Sequence, residues 1–114
     1  MDVRPVSEQV FFVLAALASG PLHGYAVLAE VAELSAERIR MPVGTLYGIL
    51  DRLTAARRIE IDREEIVDSR LRRYYRLTSD GRSLLEAEVA RQAANARVVA
   101  RRLRGVTRLA LATS

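Results

Sequence analysis

The chain has 114 residues, half of them hydrophobic and 28% charged, with a formal net charge of +4 and a sequence pI near 10.3. That is a globular composition sized for one domain with a modest core, and its basic balance points to a polyanionic partner. The absence of cysteine excludes disulfides, thiol catalysis and thiolate metal sites.

All eighteen basic residues are arginine, which suits bidentate phosphate and guanine contacts but which codon bias also produces. Met1 is followed by Asp2, and the apolar run over residues 10–18 lacks a basic leader. At about nine residues that run is too short to span a bilayer. A soluble, cytoplasmic protein is expected, with no membrane contact.

The first predicted helix runs from Ser7, a suitable N-cap, to residue 17 or 18, where "SGP" ends it. Val10, Phe11, Leu14, Leu17 and Ala18 form its buried stripe. A second helix starts near His23 and runs to about Leu34, with Tyr25, Leu28, Ala29 and Ala32 on its apolar face. The connector "SAERIRMP" leads to a third helix, which opens at Pro42 or Val43 and continues to about Ala56.

In that third helix Leu46, Ile49, Leu50 and Leu53 define the core face. Val43, Gly44, Thr45, Tyr47, Gly48, Asp51 and Arg52 are left pointing outward. A merely solvated face would carry Glu and Lys; this one is small and uncharged at its start, shaped for close backbone approach.

The period then changes. Ile59, Ile61 and Arg63 alternate with Glu60 and Asp62 as in a half-buried strand, Asp68 and Ser69 supply a turn, and residues 72–77 return. Thr78 caps a last helix, with Asp80 in its first turn. That helix is expected to stop before Gly105, a length of roughly 37 Å, leaving residues 106–114 as a tail.

The predicted fold is mainly α with a small β-hairpin: a winged helix-turn-helix over residues 1–78, followed by one long C-terminal helix over residues 79–105.

Three blocks carry a family resemblance. "GPLHGYAVLAEV" over residues 20–31, "GTLYGILDRL" over residues 44–53 and "RRYYRLTSDG" over residues 72–81 resemble, in order and spacing, the PadR-like transcriptional regulators. The resemblance implies a dimeric DNA-binding regulator, most often a repressor released by a small molecule or stress signal, whose single C-terminal helix builds the dimer. The chain departs from the pattern at Arg57 and Arg58, where the family often has Glu-Gly. It departs again at Ser69 and Leu71 near the wing tip. It also lacks the tryptophan with which some short members hold aromatic ligands.

The run "RLRRYYR" over residues 70–76 can now be weighed. Arg70, Arg72, Tyr74 and Arg76 share one strand face, and Leu71, Arg73, Tyr75 and Leu77 the other. For Arg70 and Arg72, contact with a DNA backbone is preferred to pairing with the acids of the facing strand. For Arg73 and Arg76, pairing with Glu60, Asp62, Glu64 or Glu65 is an equal reading.

The candidate DNA-binding residues are therefore Val43, Gly44, Thr45, Tyr47, Gly48, Arg52, Arg70, Arg72 and Arg73. His23 is the single histidine and reads as a cap rather than a metal ligand. Glu64 and Glu65 point opposite ways on a strand and cannot act as an acid–base pair. No nucleophile motif or phosphate loop is present, so neither an enzyme, a metal nor a cofactor is expected.

In the last helix Leu85, Val89, Gln92, Ala96, Val99 and Leu103 recur at alternating steps of about four and three, a heptad seam suited to a second copy of the helix. The expected partners are thus double-stranded DNA, a second copy of the chain and a small-molecule effector. Two alternatives stay open: a MarR-like ligand-responsive regulator, and a protein-interaction module on a winged-helix scaffold.

Overall fold

Ser7 opens the first element. Its hydroxyl accepts the Val10 N–H at 3.2 Å and satisfies one of the donors that a helix start leaves free. The computed structural model describes residues 5–113, and side chains through residue 106. Its elements are α1 (Glu8–Ala16), a 3-10 turn (Leu17–Ser19), β1 (Leu22–His23), α2 (Gly24–Leu34), α3 (Val43–Ala55), β2 (Ile59–Val67), β3 (Arg70–Leu77) and α4 (Ser79–Thr113). The architecture is mainly helical with a small antiparallel sheet.

The core gathers Val13, Leu14 and Leu17 with Val27 and Val31 of α2 and Leu46, Ile49, Leu50 and Leu53 of α3. Ile59 and Tyr75 close it from the sheet. The α3 stripe is thus the one its spacing predicts. The α2 stripe is not: Tyr25 is 67% exposed and Ala29 is exposed, while Gly24, Val27 and Val31 face inward. Both sets obey helical spacing, and only the packing of α2 against α1 and α3 selects between them. In α1, likewise, Val13 is fully buried and Phe11 only half-buried.

The sheet has three strands in the order β1-β3-β2, one more than the hairpin expected from sequence. Gly20, at φ 145°, turns the chain so that Leu22 and His23 pair with Tyr75 and Tyr74. A two-residue strand carries no period, so it leaves no signal in the sequence. At the wing tip Asp68 (φ 51°) and Ser69 (φ 63°) form a two-residue turn with both positions left-handed, which matches strand twist.

A bulge between Ile61 and Arg63 breaks the predicted alternation. Beyond it, Glu64 and Ile66 share the face of Ile61, whereas Arg63 and Glu65 move to the face of Glu60.

Two contacts fix where α3 ends and α4 begins. At the end of α3 the Arg58 N–H reaches the Leu53 carbonyl at 2.9 Å and the Arg57 N–H reaches Thr54 at 3.0 Å. This is a Schellman stop, built with Arg57 at φ 60° where glycine is usual. Arg57→Gly keeps these bonds and removes the Cβ strain. It should raise stability by up to about 1 kcal/mol, read as a higher urea midpoint. An unchanged midpoint would show that the arginine side chain offsets its backbone cost.

The Thr78 hydroxyl then donates to the Arg57 and Arg58 carbonyls at 2.7 and 3.0 Å and accepts the Gly81 N–H at 3.0 Å. It caps α4 and ties it to the α3–β2 corner in one group.

The long helix departs from the sequence reading. It does not stop at Gly105 but runs on to Thr113, about 52 Å in all. A glycine inside a helix costs roughly 1 kcal/mol, which Leu, Arg and Ala neighbours outweigh, and Gly105 adopts no positive φ that would cap the helix. The expected tail over residues 106–113 is therefore helix; Ser114 lies outside the described residues.

Near its start α4 is anchored by Leu84 and Leu85 against the core and by Arg82, which donates to the Ala18 carbonyl at 3.1 Å. Glu88 completes the anchor. Only 5% of its side chain is exposed, and it accepts from Arg91, from Gln92 at 3.2 Å and from the Val6 backbone.

Arg91 above all holds the Glu88 carboxyl at about 2, well under its ordinary 4.5. A folded pKa below the unfolded one stabilises the fold above about pH 4.5, and that contribution disappears as pH falls toward 2. Denaturant midpoints should therefore drop steeply from pH 4.5 to pH 3 in the parent and less in Glu88→Gln. Equal slopes would remove Glu88 from the acid response.

Candidate nucleic-acid interface

The outward face of α3 and the wing formed by β2 and β3 bound a cleft of about 820 Å³. The α2 start contributes His23, Gly24 and Tyr25 to it, α3 contributes Tyr47 and Asp51, and β3 contributes Arg70, Leu71, Arg72 and Arg73.

β1 pairs with β3 only at Tyr74 and Tyr75, so the edge of β3 from Arg70 to Arg73 faces this space without a strand partner.

On α3, Val43, Gly44, Thr45 and Arg52 are exposed, and Gly48 is half-buried beside the Arg52 guanidinium. Tyr47 is 39% exposed, and its ring lies against Gly24 at the start of α2. A Cβ at Gly24 would lie 2.6 Å from its hydroxyl oxygen, so the absence of a side chain at Gly24 is what lets the ring sit there. Gly24, Tyr25 and Asp51 are cleft residues missing from the sequence-derived set. The tertiary crossing of α2 and α3 brings the first two in, and no spacing within either helix announces it.

His23 caps α2, its Nδ1 accepting the Ala26 N–H at 3.4 Å, and stacks edge-on against Tyr74 with ring centroids 5.5 Å apart. Burial first, then the nearby Arg72 charge, holds its pKa below the ordinary 6.5, against the pull of Glu65. The ring is thereby kept in the neutral form that can accept the cap.

The wing arginines divide into two sets. Arg73 pairs with Glu64 at 3.3 Å, and Arg76 pairs with Glu60 at 2.9 Å and Asp62 at 3.2 Å. Tyr74 donates to Glu65 at 3.2 Å beneath the Arg63 guanidinium, which lies 3.8 Å from its ring centroid. Among the described residues Arg70 and Arg72 make no ion pair, and neither does Arg52. Ile66 and Leu71, paired across the tip, are both exposed.

The sequence profile of the transcriptional regulator PadR-like family matches residues 13–87. The chain belongs to the PadR-like family. Its members are transcriptional regulators rather than enzymes.

A 37.1 kDa protein in transposon TN4556 of Streptomyces fradiae is 41% identical over 82 residues, a match that spans 72% of this chain but only 22% of that protein. A PadR family regulator from Eggerthella lenta superposes with a TM-score of 0.68 at 27% identity, over 83% of this chain and 80% of that one. Bacillus subtilis PadR, in a structure with operator DNA, superposes with a TM-score of 0.64 at 23% identity, over 71% of this chain and 46% of the other. At that identity the likeness is one of fold.

On this PadR-like fold α4 leaves the body after Glu88. It touches α1 and β3, and the molecule extends 71 Å along its longest axis. Of the predicted seam, Leu85 packs against its own core, and Gln92 is exposed with its amide on Glu88. Val89, Ala96, Val99 and Leu103 are exposed. Because the helix passes Gly105, the same spacing carries the stripe one step further, to an exposed Val106.

Among the described residues no group of His, Cys, Asp and Glu could hold a metal ion. No described helix is long and apolar enough to cross a membrane.

Proposed function

We propose that this chain is a homodimeric repressor that binds a pseudo-palindromic operator and is released by a small-molecule or stress signal. One observation supports the DNA part: Arg70 and Arg72 stand without ion-pair partners on the same cleft as Tyr47 and Asp51 of α3, whose outward face also carries Gly44 and Gly48. Neighbouring arginines of the same strand are held by Glu60, Asp62 and Glu64. An arginine left unpaired beside a face built for close approach suits phosphate contact.

The dimer is supported by the apolar stripe from Val89 to Val106, which the chain's own core does not cover. Release by an effector rests on the family resemblance alone.

The test is a salt-dependent mobility-shift assay on the promoter of the protein's own gene. Arg72→Ala should weaken binding to all sequences and flatten the plot of log affinity against log salt by about one unit. Arg76→Ala, which removes an intra-wing pair, should leave the slope unchanged. Equal slopes for Arg72→Ala and the parent would place Arg72 outside the interface.

A further inference from the structure

One residue of the α3 face contradicts its surroundings. Gly44, Tyr47, Gly48 and Asp51 fall at i, i+3, i+4 and i+7, so they form a single stripe along the exposed side of the helix. Two positions of that stripe are glycine, which brings the backbone close to whatever it faces. Asp51 then presents a carboxylate at its far end, about 10 Å from Gly44.

Nothing on α3 itself explains an acid there. Aspartate is a poor helix former, and the positions three and four residues away on either side (Gly48, Tyr47, Thr54 and Ala55) offer no cation. Asp51 makes no hydrogen bond or ion pair among the described residues. Arg70 and Arg72 line the same cleft without pairing with Asp51, Arg73 is held by Glu64, and Arg52 lies back beside Gly48. In a cleft that receives DNA phosphates an unpaired carboxylate is repelled, unless the DNA brings it a donor.

Base edges in the major groove supply such donors selectively. Guanine offers only acceptors and thymine an acceptor and a methyl group, so both repel a carboxylate. Adenine sets its amino donor beside the N7 acceptor, a pattern matched by an amide. Cytosine presents the amino group alone, a donor for which a carboxylate is the natural acceptor.

We infer that Asp51 is a specificity-determining residue that accepts a hydrogen bond from a cytosine amino group in the major groove. This rests on the DNA-binding reading above.

The experiment is selection from a randomised duplex library with the parent, Asp51→Asn and Asp51→Ala, each shown by thermal melting to be folded. The parent should enrich one cytosine per half-site, and changing that base should weaken parent binding about tenfold. Asp51→Asn should move the preference at that one position to adenine, with the rest of the motif kept. Asp51→Ala should lose the preference there.

If Asp51→Ala retains the cytosine and only binds every sequence more tightly, the carboxylate is a source of repulsion and the inference is overturned. If the parent enriches no duplex at all, the DNA-binding reading falls and this inference with it. The two failures are thus told apart by whether the parent binds.

Discussion

Gly81→Ala should be among the most damaging single substitutions in this protein, and Gly105→Ala, the same chemical change, should be stabilising. A Cβ at Gly81 would lie 1.9 Å from the Arg58 carbonyl oxygen, a backbone atom already engaged by Thr78. Neither side can yield without moving the start of α4 or the α3–β2 corner. The expected loss is about 3 kcal/mol or more, or about 10 °C in Tm.

At Gly105 a Cβ meets nothing within 4 Å, and the residue sits inside a helix. There alanine should add about 1 kcal/mol. Thermal melts of the two variants beside the parent decide the matter. A normal melting temperature for Gly81→Ala would mean that the α4 junction is packed differently.

Val99→Glu should break the proposed dimer. Val99 is 56% exposed in the chain by itself, on the stripe assigned above to a second copy of α4. In an isologous pair the substitution places two like carboxylates near the symmetry axis, in surroundings that offer no compensating donors. The 12.7 kDa chain should then scatter light as a monomer or lose its fold, whereas the parent should scatter as a dimer.

On the proposed dimer, losing the pair would release the two copies of α3 from a spacing of about one DNA turn, roughly 34 Å. Specific affinity should fall at least about a hundredfold while salt-sensitive non-specific binding persists. A monomeric parent, or a variant that remains a dimer of normal stability, would sink the assignment of α4.

Much of this protein is legible in the amino-acid sequence because its signals are local. The apolar spacing of Leu46, Ile49, Leu50 and Leu53 selects the buried side of α3. Ser7 and Thr78 announce helix starts through hydroxyls that need only their own next turn. Asp68 and Ser69 place the hairpin tip, and three short blocks disclose the family.

The tertiary structure decided what depends on partners distant in the chain. Tyr25 and Val27 lie on equally periodic stripes of α2, and only packing against α1 and α3 turns Val27 inward and Tyr25 outward. β1 exists because Tyr74 and Tyr75 supply the hydrogen bonds that two residues cannot supply for themselves. The bulge after Ile61 re-aims Arg63 and Glu65, and with them the ion pairs that leave Arg70 and Arg72 unpaired. Gly105 suggests a helix end by composition, yet its helical neighbours carry α4 through it. A stripe or cap is written in one segment, but a crossing, a register or a free charge is a difference between competing partners, and only the folded chain brings those partners together.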